Sequence, residues 1–209
     1  VDAMAIDAEG IPSTLAKADL AGERPNVWIR RGFLSPDECA LIAKAGLDLL
    51  EPSVVADPAT GRNMRHPIRT SSAATIGPTR ESLPIRAIKQ RIATAAQIDV
   101  AQCEPLILLH YAPGEEYRRH LDALPAAENQ RIKTAILVLN QGFQGGGTHF
   151  HASGLTVRGR AGDAIFFDNV DESGQPDPLS AHAGLPVTAG AKWVATCWMR
   201  QSPLDLWRA

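Results

Sequence analysis

Two segments near the start of the chain repeat their apolar positions at helical spacing. Cys39, Ile42, Gly46 and Leu49 fall on one stripe, which predicts a helix running to about Leu50. Its start is marked by Ser35-Pro36-Asp37-Glu38, a capping box with proline at the first helical position. Ile85, Ile88, Ile92 and Ala95 predict a second helix over roughly 79–96. Between the two, residues 54–72 are polar and carry Arg62, Arg65 and Arg69, the pattern of a flexible loop with a short strand. After Asp99 the pattern changes. Short runs of β-formers, separated by Pro, Gly, Asn and Asp, predict strands near 105–111, 116–122, 132–139, 147–151, 155–158, 163–167, 180–183 and 191–200. Eight short strands without intervening helices predict a jelly roll or barrel. Helices first and strands after predict an α+β chain, mainly a β core braced by N-terminal helices. The expected division is a helical support over 1–98, with the loop 54–72, and a β core over 99–209, packed as a single compact domain.

Composition narrows the function classes. A net charge of −2 gives no long-range pull toward nucleic acid or an anionic membrane. No apolar run is long enough to span a bilayer as a helix. Residues 1–30 lack a basic start followed by an apolar core, so no secretory leader is expected. The chain begins at Val1, so an upstream segment stays open. Cys39, Cys103 and Cys197 are far apart and form no C-x-x-C pair; buried free thiols in a reducing cytoplasm are expected.

Candidate chemistry comes from spacing on strands. His120 and Asp122 alternate with Leu121 and so point to one face. Alone, such a pair reads equally well as surface decoration. His182, at the start of a later strand, supplies a second imidazole. Two histidines and a carboxylate with open positions opposite form the facial triad of non-haem Fe(II) oxygenases. Lys192 follows on the next strand, where Lys192, Val194, Thr196, Trp198 and Arg200 share a face. A lysine in so apolar a strand is costly to bury unpaired. On its own it would snorkel to the surface. Behind a His-x-Asp and a distant His it reads instead as the partner of a fixed anion, such as the distal carboxylate of 2-oxoglutarate. His149-Phe150-His151 is a rival pair, but no glutamate follows to complete a cupin-type site, so these are read as rim or structural residues. His66 and His110 read as surface or loop residues, Arg62, Arg65 and Arg69 as a solvated loop that could fold over a site, and Trp28, Trp193 and Trp207 as packing residues.

From about Glu104 to Arg200 the chain resembles the catalytic domain of prolyl 4-hydroxylases. The matching segments are LHYAPGEEYRRHLD at 109–122, QRIKTA at 130–135, GGGTHF at 145–150, GDAIFFDN at 162–169, DPLSAHAGLPV at 177–187 and GAKWVATCWMR at 190–200. Ile68-Arg69-Thr70-Ser71 resembles the family's Arg-Thr-Ser segment. The resemblance implies a double-stranded β-helix. It implies iron ligands at His120, Asp122 and His182, and 2-oxoglutarate contacts from Lys192, Thr148 and Tyr111. Arg131, Trp198 and Arg200 match positions facing the peptide substrate. It further implies an Fe(II)- and 2-oxoglutarate-dependent dioxygenase that uses O2, with ascorbate as reductant, hydroxylates a prolyl residue of a peptide or protein, and releases succinate and CO2. The sequence departs from the pattern in lacking the glutamate of Gly-Gly-Glu-Thr, here Gly145-Gly146-Gly147-Thr148, and in a short loop from Asp122 to Arg131. These departures bear on the substrate, so a free amino acid or another small molecule is the alternative. A non-catalytic sensor of metal or 2-oxoglutarate is disfavoured by the intact triad. Nucleic-acid demethylation is disfavoured because lysine, not a late arginine, takes the carboxylate role. No nucleic-acid or membrane partner is expected, and a homodimer is compatible with the sequence.

Overall fold

The computed structural model describes residues 18–56 and 63–206; Arg62, Trp207 and the residues before 18 lie outside the described residues. In chain order the elements are β1 (Ala18–Glu23), β2 (Asn26–Arg30), α1 (Pro36–Gly46), β3 (Glu51–Pro52), β4 (Val55–Ala56), β5 (Asn63–Met64), β6 (Ser72–Ile76) and α2 (Leu83–Ala96). There follow β7 (Leu106–Tyr111), β8 (Tyr117–His120), β9 (Arg131–Val138), β10 (Gln144–Gly145), β11 (Thr148–Phe150), β12 (Leu155–Val157), β13 (Ala164–Asp168), β14 (His182–Gly184), β15 (Val187–Ala189) and β16 (Lys192–Arg200). An eight-stranded sheet runs β1-β2-β13-β9-β16-β7-β6-β3, and a four-stranded sheet runs β12-β11-β14-β8. The two make the expected jelly roll.

One side of the large sheet faces the small one. Val27, Ile29, Val138, Ile165 and Phe167 meet Phe150 and Val157 there, with Phe150 edge-on to Phe167 at 5.2 Å. The other side is covered by the two helices, whose Ile42, Ile85, Ile88 and Ile92 pack on Leu106, Leu108, Leu137, Phe166 and Met199. Burying each such aliphatic chain contributes about 1.5–3 kcal/mol. Gly46 ends α1 against the sheet, where a Cβ would come within 3.0 Å of Leu108 Cδ2 and 3.3 Å of Ala74 Cβ. The capping box forms as expected: Ser35 Oγ accepts from the Glu38 amide at 3.2 Å, and Glu38 Oε2 accepts from the Ser35 amide at 2.9 Å. The same carboxylate takes both terminal nitrogens of Arg91 from α2, at 2.6 and 3.0 Å, and so locks the helices together. Burial pushes the Glu38 carboxyl up, but these bonds outweigh it and leave it below its usual value.

All eight predicted strands are present, with corrections at the edges. The first helical segment ends its α-turns at Gly46 and continues only as a 3-10 turn over Leu47–Leu49. The second helix begins at Leu83, not 79, because Pro84 has no N–H to return to Arg80 and fits only in the first turn. The strand expected over 116–122 stops at His120, and the one expected at 180–183 starts at His182 after a 3-10 turn over Pro178–Ser180. The segment before residue 98 is not purely helical: β1, β2, β3 and β6 all join the large sheet. Cys39, Cys103 and Cys197 are free and buried, as expected.

Candidate active site

β8 and β14 pair so that His120 and His182 stand directly opposite one another. Their rings lie 4.3 Å apart between centres. Asp122 sits just past the end of β8, in a bend rather than on the strand, yet its carboxylate still reaches both imidazoles: Oδ1 is 3.5 Å from His120 Nε2 and Oδ2 is 3.8 Å from His182 Nε2. One ligand atom from each residue fits within 4.8 Å of the others, the one such cluster among the described residues.

The tautomers suit a metal. His120 Nδ1 bonds the Arg118 carbonyl at 2.8 Å and His182 Nδ1 bonds the Ser180 carbonyl at 3.0 Å. A carbonyl can only accept, so each Nδ1 carries the proton and each Nε2 offers its lone pair to the pocket. Burial, then the neighbouring His120, lowers the His182 value to about 4, which keeps that imidazole neutral at ordinary pH. Burial raises the Asp122 carboxyl, but the adjacent His120 and His182 and the bond from Thr134 hold it well below the usual carboxylate range. Thr134 Oγ1 donates to Asp122 Oδ2 at 2.7 Å and accepts from Asn169 Nδ2 at 2.9 Å. Two imidazoles and an ionised carboxylate, each braced from behind, fit a divalent iron ion.

Behind the triad the pocket runs into the barrel. It is lined by Arg69, Tyr111, Tyr117, Thr134, Thr148, Lys192, Val194, Thr196 and Trp198 among others. Lys192 keeps 7% of its surface and its Nζ donates to the Gly146 carbonyl at 2.6 Å. No carboxylate among the described residues pairs with it, and burial lowers its value to about 8. Gly146 is required here: its φ is +63° and a Cβ would come within 2.9 Å of Lys192 Cδ. Tyr111 pairs with Lys192 in the β7–β16 register and its ring lies 5.1 Å from Nζ. Thr148, from β11, lines the same pocket. The structure therefore brings His120, Asp122, His182, Lys192, Thr148 and Tyr111 to one chamber.

In front of the triad lies a groove of about 850 Å³, sharing Arg69, Tyr117, His120, Asp122 and Trp198 with the inner pocket. The described parts of the 54–72 loop form one wall through Val54, Val55, Met64, His66 and Ile68. The opposite wall holds Trp198 and Arg131, whose guanidinium stacks 3.7 Å from the indole centre. Arg131 is pinned: Nε and Nη2 donate to the two oxygens of Glu104 at 2.7 and 2.8 Å. Glu104 was absent from the residues expected here. Its signal, a lone acid before an apolar strand, is too weak to read in sequence. Arg200 is a correction. The strand register skips Ile132 of β9 here, so Arg200 pairs with Arg131 and the two share Glu104 as partner. Arg200 lines neither chamber and instead holds Glu104 Oε1 at 2.5 Å and the Asn129 carbonyl at 2.6 Å. Arg69, read as solvated, is a buried wall residue: Nη1 bonds the Val54 carbonyl at 3.2 Å and the guanidinium lies 4.7 Å from the centre of Tyr117, which stacks on His120 at 3.5 Å. The rival pair stays apart from this site; His149 Nδ1 bonds Thr156 Oγ1 at 2.9 Å and meets His151 edge-on.

Comparison with known proteins agrees with this geometry. The profile of the 2OG-Fe(II) oxygenase superfamily matches residues 106–200. Prolyl 4-hydroxylase 1 of Arabidopsis thaliana is 32% identical over 214 residues, covering 93% of this chain and 76% of that protein. A viral collagen prolyl hydroxylase from Paramecium Bursaria Chlorella virus-1, solved as a 2OG complex, superimposes with a TM-score of 0.67 at 25% identity, over 84% of this chain and 96% of the other. A prolyl-4-hydroxylase of Pseudomonas putida gives 0.60 at 26% identity, over 84% and 92%. The chain belongs to the 2OG-Fe(II) oxygenase superfamily, within its prolyl 4-hydroxylase-like members, and is a 2-oxoglutarate-dependent dioxygenase.

Proposed function

We propose that this dioxygenase hydroxylates a prolyl residue within a peptide or protein. The observation that carries the substrate class is the groove. It runs between the described residues of the 54–72 loop and the Trp198–Arg131 wall, and His120 and Asp122 form part of its lining. A chain could lie along it and present one side chain to the triad.

In this reading His120 Nε2, Asp122 and His182 Nε2 hold Fe(II). Lys192 receives the distal carboxylate of 2-oxoglutarate, with the Thr148 and Tyr111 hydroxyls as further donors. With 2-oxoglutarate and O2, the bound iron supplies the oxidation that replaces C–H by C–OH and yields succinate and CO2. The protein's part is to orient and to exclude water. The Trp198 indole, which lines both the inner pocket and the groove, supports the pyrrolidine ring. Arg131 spends Nε and Nη2 on Glu104, which fixes Nη1 at the groove for a peptide carbonyl. The wall formed by the 54–72 loop shields the reacting C–H bond from water. Ascorbate is the expected reductant.

The test is incubation with Fe(II), 2-oxoglutarate, ascorbate and a library of proline-containing peptides. Mass spectrometry would seek one added oxygen, with succinate measured in parallel. An oxygen mapped to a prolyl ring supports the assignment. Oxidation of a free amino acid or other small molecule, with every peptide untouched, moves the activity to that alternative. Absence of succinate under all conditions overturns both.

A further inference from the structure

The chamber holding Lys192 has a second neighbour. Ile136, Thr148, Lys192 and Val194 line the triad pocket and also line a separate cavity of about 410 Å³. That cavity shares no residue with the substrate groove. Groove and second cavity therefore open from opposite ends of the same chamber, with the triad nearer one and Lys192 nearer the other. The glycine-bearing segment 141–146 forms much of the second cavity's wall.

Its charge is one-sided. The lining contains Arg158, Arg160 and Lys192, and no aspartate or glutamate. The groove, by contrast, mixes Arg69 and Arg131 with Glu51, Glu104 and Asp122. The side chains of Arg158 and Arg160 are exposed and make no hydrogen bond or ion pair among the described residues. Arg158 lies over Gly147, its Cγ and Nε at 3.4 and 3.5 Å from where a Cβ would stand there. A cleft lined by one sign of charge raises the local concentration of the opposite ion and its rate of entry.

We infer that this cavity is a second mouth of the barrel, through which the dicarboxylates 2-oxoglutarate and succinate exchange while the groove is occupied by substrate. Arg158 and Arg160 attract the dianion at the rim, and Lys192 receives it on the inner side. The inference rests on the assignment of Lys192 to 2-oxoglutarate made above. Lys192 forms the septum between the two chambers, and its Nζ must leave the Gly146 carbonyl for the ligand to pass.

The experiment uses the Fe(II)-loaded protein without oxygen and follows 2-oxoglutarate binding by stopped-flow tryptophan fluorescence. In one arm Arg158→Cys is capped with a bulky maleimide, which the three buried native thiols do not compete for. A passage predicts that the cap slows association and dissociation alike, by about tenfold or more, at an unchanged dissociation constant. In the second arm Arg158→Glu/Arg160→Glu slows association by about tenfold or more and flattens its salt dependence. Rates indifferent to the cap and to charge reversal overturn the second mouth. So does a capped protein whose association is normal but whose dissociation constant rises, since that makes Arg158 a binding group rather than a gatepost. Failure of the parent protein to bind 2-oxoglutarate, or a dissociation constant unmoved by Lys192→Ala, overturns the underlying assignment as well.

Discussion

Thr134 donates its hydroxyl to Asp122 Oδ2 across 2.7 Å, and Asn169 donates in turn to Thr134 at 2.9 Å. Thr134 and Asn169 are fully buried, so no water substitutes for either bond. The chain fixes the carboxylate plane and occupies Oδ2, leaving Oδ1, the oxygen near His120 Nε2, as the freer donor. Thr134→Val keeps the shape and removes the hydroxyl. Metal affinity should fall about 10- to 100-fold, the usual cost of losing such a supporting bond. Anaerobic Fe(II) titration, with Zn(II) as a redox-inert check, reads this directly. Thr134→Ser should retain near-parent affinity, and unchanged affinity in Thr134→Val would remove Thr134 from any role at the metal.

Lys192 supplies the charge at the inner end of the chamber. Lys192→Ala should raise the 2-oxoglutarate dissociation constant about 10- to 150-fold, given roughly 1.5–3 kcal/mol for a hydrogen bond to a charged group. Lys192→Arg should recover little, because Gly146 already lies against the lysine stem and a planar fork needs more room. Calorimetric titration of the iron-loaded protein measures both. A dissociation constant unmoved by Lys192→Ala would place the carboxylate elsewhere.

Most of this site was legible from strand alternation and spacing. Register pairs His182 with His120, and the shared face of β16 delivers Lys192, Val194, Thr196 and Trp198 to one pocket. Alternation places Arg200 on a face of β16 but not the end of its side chain: β9 carries an unpaired Ile132 there, and Arg200 ends on Glu104 rather than in the groove. The N-terminal strands were missed for a different reason. β1 pairs only with β2 at the sheet edge and has no buried face to write an alternating pattern, and β6 is built of small residues. Arg69 was misread because a buried arginine is told from a solvated one by its partners, here a carbonyl from another segment and an aromatic ring.

Glu104 is the hinge between two arginines, and its removal tests whether Arg131 acts on substrate. Glu104→Gln halves the charge-assisted contacts and frees Arg131 to leave the Trp198 face. Peptide KM should rise about tenfold or more, consistent with loss of a charged hydrogen-bonded pair, while succinate formed without peptide stays near the parent rate. Arg131→Ala should show the same split, since neither residue touches the triad. Coupled and uncoupled turnover, measured side by side in proteins with parent-like melting, decide it. Equal loss of both would mean that the cluster only holds β9 and β16 together.

The pH dependence of cosubstrate binding follows from the lowered value of Lys192, about 8 in the ligand-free protein against an ordinary 10.5. Below 8 the ammonium is charged and ready for a carboxylate. A bound carboxylate favours the charged form and raises the value again, so binding above 8 takes up a proton. Affinity should therefore be greatest below 8 and fall toward about tenfold per pH unit as pH rises through the free value, until the bound value is passed. The stability of the ligand-free protein should move the other way. Between 8 and 10.5 the unfolded chain keeps a proton on this lysine that the folded chain has lost, so the burial penalty present below 8 is relieved as pH rises. Saturating 2-oxoglutarate should flatten that rise, because the bound lysine keeps its proton. Urea melts with and without 2-oxoglutarate, run on both sides of pH 8 in the parent and in Lys192→Met, measure this. The methionine variant should lose both slopes, and a parent protein whose 2-oxoglutarate affinity is level across pH 8 would show that Lys192 is not the group that meets the carboxylate.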